Sequence, residues 1–217
     1  MSNPDSFIDE VTEEVRRDRL FAFFRKYGWI PVLLVLMLVG GAAWTEFQKS
    51  RAQTAARAYG DSLLAAIAIE DPAARSTALA AIAGNGSSTA LTQLIVAADA
   101  VRAKNTPAAL TALDAVVADP SVPQSYRDLA RLKRVMLAGA DMPAPERMQA
   151  LDDLATPGRP FRPLALEQKA MVQIETGDVA TGLAGLKAVL EEPLVSQALR
   201  TRVSNVMVAL GANPEAK

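Results

Sequence analysis

An all-α fold, one transmembrane helix followed by a stack of helical hairpins, is predicted by three observations. Nineteen uncharged residues run without interruption from Tyr27 to Thr45. Beyond them, apolar residues recur at helical spacing in segments separated by proline and glycine, with no strand-type alternation of useful length between them. Those segments in turn repeat after 38 and then 35 residues.

The chain opens on a charged stub, residues 1–26, in which Ile8, Val11 and Val15 keep helical spacing and Ser6 with Asp9 can form a capping box. Leu20, Phe21, Phe23 and Phe24 can then lie in a membrane interface beside Arg25 and Lys26, whose long stems allow the charges to snorkel. An interfacial anchor explains this pattern, and a docking helix for a membrane partner is the alternative.

Residues 27–47 are read as the transmembrane anchor. As a helix the uncharged run is about 28 Å long at about 1.5 Å per residue, close to the roughly 30 Å of a hydrocarbon core. Trp29 and Trp44 fall at its two ends, at the headgroup levels where an aromatic ring buries its body and keeps a polar edge wet. Pro31 sits in the first turn, where its missing N–H costs little. A cleavable secretory signal is the rival reading, since Gly41-Ala42-Ala43 offers small residues after an apolar core. The long, partly acidic stub ahead of the run is unlike the short basic start of such a signal, and favours an uncleaved anchor. Arg16, Arg17, Arg19, Arg25 and Lys26 on one side against Lys49, Arg51 and Arg57 on the other keep the stub cytoplasmic and export the rest. In a bacterium the expected location is therefore the inner membrane, single-pass, with residues 48–217 in the periplasm.

Composition narrows what the exported part can do. After the anchor eighteen bases face eighteen acids, so nothing there provides the cationic surplus that nucleic-acid binding requires. The chain has neither histidine nor cysteine, which removes the common zinc sites, the Ser-His-Asp triad and thiolate chemistry. Carboxylate, lysine or serine-lysine chemistry remains, but Asp152-Asp153 and Glu191-Glu192 are adjacent in sequence and point about 100° apart on a helix, as solvated faces do. Gly84-Asn85-Gly86 lacks the later glycine and lysine of a phosphate loop and reads as a turn between helices. No catalytic residue, cofactor or metal is assigned. An enzyme would need a ligand-sized cleft around Glu167 or Lys169.

Residues 46–70 are expected to continue the anchor helix outward, and Asp71-Pro72 to start a second helix reaching Ala83. Further helices are expected near 88–103, 107–118, 124–139, 145–155, 163–176, 178–190 and 196–210. Within them Leu110, Leu113 and Val116 recur as Met148, Leu151 and Leu154, then as Leu183, Leu186 and Val189. The preceding helices match too: Leu91, Ala98 and Val101 with Leu129, Met136 and Gly139, then with Leu164, Met171 and Ile174. Two helices in a period of this length are the tetratricopeptide type of repeat, here three copies after a degenerate pair and before a terminal helix. Pro107 and Pro145 preset the second helix of their pairs. In the third pair Gly177 can take the left-handed position after one helix and Asp178 can cap the next.

The order of Glu13-Glu14-Val15, Leu20 and Phe23-Phe24-Arg25-Lys26-Tyr27-Gly28 before a single anchor resembles the YfgM-like ancillary subunit of the Sec translocon. Gly177-Asp178 followed by Leu183 to Leu190, and the Leu199-Arg200-Thr201-Arg202 helix, carry the resemblance to the C-terminus. Phe23 and Phe24 stand where the family has paired tryptophans. The resemblance implies an inner-membrane protein with a short cytoplasmic tail that associates with the translocon and with periplasmic chaperones or secreted clients. The function expected is a non-enzymatic adaptor there. A periplasmic scaffold for envelope assembly or cell division, tethered by the anchor, is the alternative.

For protein binding the candidates are Arg127, Arg131 and Arg134, which share one side of a helix. By analogy with the repeat family, first helices line the inner face of the stack, where these arginines would hold an acidic segment or a chain terminus; a solvated charged face with no special role is the alternative reading. The membrane-interface candidates are Phe23, Phe24, Arg25, Lys26, Trp29 and Trp44.

Overall fold

The structure, a computed structural model, describes residues 25–193 and 195–214. The expectations for Ser6 to Phe24, including Phe23 and Phe24, lie outside the described residues. Among those described, every regular element is helical: α1 (Trp29–Ile67), α2 (Pro72–Ala80), α3 (Ser87–Arg102), α4 (Thr106–Ala118), α5 (Gln124–Ala138), α6 (Ala144–Leu154), α7 (Arg162–Glu175), α8 (Val179–Glu191) and α9 (Gln197–Ala209), with a 3-10 turn at Gly139–Asp141. The chain forms two compact units that divide between Ala58 and Tyr59.

In the first unit, α1 leaves its apolar side chains uncovered on every side: Val32, Leu36 and Val39 are 59%, 66% and 61% exposed. It is long and apolar enough to cross a membrane. A helix satisfies its own backbone hydrogen bonds, which is what a span through hydrocarbon requires.

The second unit opens with the end of α1 against α2 and α3. Leu63, Ala66 and Leu79 are buried together, and the Tyr59 hydroxyl donates to the Ser88 carbonyl at 2.8 Å, with Thr92 Oγ1 2.9 Å away. Each following helix then packs on its neighbours in sequence, α3 with α4, α5 with α6 and α7 with α8, while α9 closes the end against α8. One core joins Ala90 and Ala97 of α3, Leu113 and Val116 of α4 and Ala130 of α5. A second holds Leu132, Val135, Leu151, Leu154 and Val172, and a third Ala170, Leu186, Val189, Leu199 and Val203. Leu113 and Val116, Leu151 and Leu154, and Leu186 and Val189 recur as the repeat requires, all at most 2% exposed.

Local chemistry sets the boundaries. Asp71, Asn105, Asp178 and Ser196 each accept a hydrogen bond from a backbone N–H three residues on, which satisfies one of the four orphan donors of a helix start. Pro72, Pro107 and Pro145 occupy first turns. Gly177 has φ +91°, the left-handed conformation expected of it after α7. The second helix stops at Ala80, short of the expected Ala83: the Ala81 N–H still reaches the Thr77 carbonyl four residues back, but the Ile82 N–H turns to the Leu79 carbonyl three residues back, each at 3.2 Å. Gly139 departs from its repeat partners: at φ +50° it ends α5, where Val101 and Ile174 are still helical.

The α7/α8 pair is packed tightly around two glycines. A Cβ on Gly182 would collide with Ile174 Cγ1 and lie 2.9 Å from the Ala170 carbonyl oxygen, and one on Gly185 would lie 3.0 Å from Ala170 Cβ. Charged bridges then cross between elements. Arg147, 8% exposed at its side chain, donates to both oxygens of Glu175 at 2.6 and 3.1 Å. Arg202 grips the buried Glu167 at 2.6 Å through two nitrogens. Asp128, 1% exposed, accepts from Gln124 at 2.7 Å and from Arg159 at 2.9 Å. The pairs adjacent in sequence are therefore not both solvated faces. Asp152 meets Lys169 at 2.6 Å while largely exposed, whereas Glu192 is mostly buried against Arg162 at 3.0 Å.

Two outcomes are expected from this packing. Gly182→Ala gains helix propensity of about 1 kcal/mol but forces α8 off α7, so the protein should lose about 1–3 kcal/mol by overpacking, read as a lower thermal midpoint by circular dichroism. The Arg147 hydrogen bonds hold the Glu175 carboxyl below the ordinary glutamate range. A depressed folded-state pKa gives stability that is present above the unfolded value near 4.5 and lost as pH falls through the folded one. Arg147→Met should remove that acid-side loss from the pH dependence of the denaturant midpoint.

Candidate protein-binding surface

The three arginines are divided by their surroundings on α5. Arg134 donates to Asp114 of α4 at 2.7 Å and lies 3.7 Å from Glu146 of α6. Arg127 Nη2 donates to Gln124 at 2.6 Å, and its Nε is buried without a partner. Arg131 lines a cleft of about 300 Å³ with Arg134, Asp114, Glu146 and Asp153. Two cations against three carboxylates give that cleft no positive surplus. An acidic segment entering it would have to displace Asp114 from Arg134. An exposed pair of this kind is worth about 0–1 kcal/mol, but competition at the same guanidinium still weakens the case for an acidic guest.

The opposite side of the first helices carries a different surface. Leu94, Ala97, Ala98 and Val101 of α3, Leu113 of α4 and Lys133, Met136 and Leu137 of α5 line an apolar cleft of about 280 Å³. Val101 is 48% exposed, Met136 54% and Leu91 40%, and Met171 of α7 is 37% exposed. Ala98, Met136 and Met171 occupy one repeat position and are exposed in all three first helices. The middle one of the three repeated offsets thus marks a solvent-facing position, while Ala90, Ala97, Ala130, Leu132, Ala165 and Val172 supply the packing. Methionine is unbranched and polarizable, and suits a surface that must accommodate varied apolar side chains. Lys133 is the one cation lining this cleft.

Glu167 and Lys169 are occupied, by Arg202 and Asp152. No group of three or more acidic, histidine or cysteine side chains able to hold a metal ion occurs among the described residues. At the anchor, Arg25, Lys26, Trp29 and Trp44 are all exposed on their helix, and the Lys26 ammonium lies 5.5 Å from the Tyr27 ring centre.

A family model for the tetratricopeptide repeat-like domain matches residues 22–167. The chain belongs to that family. The tetratricopeptide-like match runs from residue 22, ahead of α1, into α7, and α8 and α9 lie beyond it. No curated protein and no solved structure matches the chain. A tetratricopeptide-like domain implies protein partners, and the described residues carry a row of exposed apolar side chains across successive first helices.

Two substitutions separate the two surfaces. Arg134→Ser removes a half-buried arginine from Asp114 and Glu146 and should lower stability by about 1 kcal/mol, measured by denaturant unfolding. Met136→Glu is half-exposed and should fold equally well, yet it should abolish binding of an apolar fluorescent probe to the α3/α5 cleft.

Proposed function

We propose that this protein is a membrane-anchored, non-enzymatic adaptor that binds proteins on the periplasmic side of the Sec translocon and links secreted clients or chaperones to it. The observation that carries the reading is that one chain combines tetratricopeptide-like helical pairs with the uncharged stretch Tyr27 to Thr45, and that the family match spans both. The helix concentrates the binding domain at a membrane, and the domain supplies the grip. The excess of bases on the stub side of the helix supports a cytoplasmic N-terminus and a periplasmic repeat domain. The ordered motifs from Glu13 to Gly28 support the translocon as the place of work.

Chemistry beyond binding has little to work with. The chain lacks histidine and cysteine, and the buried ionisable groups Asp128, Arg147 and Glu167 are each engaged in bridges between elements. The apolar row through Ala98, Met136 and Met171 favours extended or partly folded polypeptides as clients over charged chain ends.

Crosslinking of the full-length protein in native membranes, followed by identification of the captured proteins, tests this function. Translocon subunits together with secretory proteins or periplasmic chaperones are expected. Exchange of residues 1–47 for an unrelated anchor should lower capture of the translocon. Recovery of envelope-assembly or division proteins in their place would contradict the adaptor reading and favour a tethered scaffold.

A further inference from the structure

The outer end of the anchor carries a feature that protein binding does not use. The Arg51 guanidinium lies over the Phe47 ring, 5.2 Å from its centre, one helical turn on. At about 100° per residue, Trp44, Phe47 and Arg51 fall within about 60° of one another, while Glu46 and Lys49 fall on other sides. All three are exposed, and Arg51 takes no carboxylate partner among the described residues. Its charge is held in place by a ring and left unneutralised.

Depth along the helix fits a lipid headgroup. Taking Thr45 as the end of the uncharged run, Phe47 lies about 3 Å and Arg51 about 9 Å beyond it at about 1.5 Å per residue. A headgroup layer is about 5–7 Å deep on each side of the hydrocarbon. Side chains on a helix lean toward its N-terminus, so at this end Arg51 leans back toward the bilayer and over Phe47. At the other end the same rule tilts Arg25 and Lys26 away from the span. The second cation over a ring, Lys26 on Tyr27, is twenty residues from Phe47, or about 30 Å, so the two rings sit at the two headgroup levels.

We infer that Trp44, Phe47 and Arg51 form a clamp for the phosphate of an outer-leaflet lipid headgroup. The guanidinium donates two hydrogen bonds to the phosphate oxygens, and the Phe47 and Trp44 rings pack beneath against the glycerol and upper acyl region. Arginine suits this because its planar fork matches two phosphate oxygens and is held flat by an aromatic face. The clamp fixes how far the helix emerges before the exposed segment that leads to Tyr59. It rests on the reading of Tyr27 to Thr45 as a membrane span.

The test uses the full chain in bilayers of phosphatidylethanolamine and phosphatidylglycerol, with arginine labelled at carbon and Trp29→Phe leaving Trp44 as the sole emitter. Dephasing of the arginine Cζ signal by lipid phosphorus should be present, should lose the Arg51 contribution in Arg51→Gln, and should be weakened by Phe47→Ala. Lys49→Gln, on the other side of the helix, should leave it unchanged. Bromine on the upper acyl chain should quench Trp44. Unchanged dephasing in Arg51→Gln with Trp44 still quenched would overturn the clamp and leave the span standing. Absence of quenching from any acyl depth would overturn the span and the clamp with it.

Discussion

Close approach of paired helices through alanine and glycine is the constraint on which the rest of this molecule depends. Aromatic residues are only 5% of the chain, so its cores cannot be filled by large side chains reaching across wide gaps. They are filled by backbone brought near to backbone. Ala90, Ala109, Ala130 and Ala165 are completely buried, and Gly182 faces Ala170 and Ile174 with no room for a methyl group. Dispersion is gained per contact and falls steeply with separation, so short interhelical distances replace side-chain bulk. Leucine and valine at the repeated positions of α4, α6 and α8 then close each layer.

Such a stack has no single centre. Each core is shared by successive helices, and what passes between layers is a set of arginine–carboxylate bridges. Burying those charges carries a desolvation cost that the pairing must offset, which makes them poor sources of stability and good specifiers of register. Asp128 illustrates the point: it accepts from Gln124 in its own helix and from Arg159 in the loop after α6, so the loop can close in only one way. The interior faces of the first helices hold Ala90, Ala97, Ala130 and Ala165 beside Leu132, Val135 and Val172, and the apolar side chains Val101, Met136 and Met171 are left facing out. The exposed apolar row is thus a by-product of how the helices pack.

Much of the architecture is legible in the sequence because it is written in local signals. Asp71-Pro72, Asn105-Thr106-Pro107 and Gly177-Asp178 fix helix starts within a residue or two, and the leucine triplets of the second helices mark buried positions. The first helices were harder to read, because alanine packs without leaving a hydrophobic stripe, and the recurring Leu91, Ala98 and Val101 offsets belong largely to an exposed row. Gly139 broke the repeat for a backbone reason that side-chain matching does not detect. The bridges were the least visible part, although a trace exists. Asp128 heads the series Leu132 and Val135, and Arg147 heads Leu151 and Leu154, each at the i, i+4, i+7 spacing of a buried face. A charge on such a stripe asks for a partner, but only the fold names it. For Arg134, sequence gives a cationic helix side and cannot tell that Asp114 and Glu146 share it.

An apolar helix long enough to cross a membrane and a tetratricopeptide-like stack with an exposed apolar row occur in one chain. Photocrosslinking from single positions of the full-length protein in native membranes tests the proposed binding role of that row most directly, with the reactive group placed at Met136 on the apolar row and at Asp153 in the mixed-charge cleft. Adducts with other polypeptides from Met136 and few from Asp153 are expected. Adducts confined to Asp153, with Met136 silent, would contradict the account.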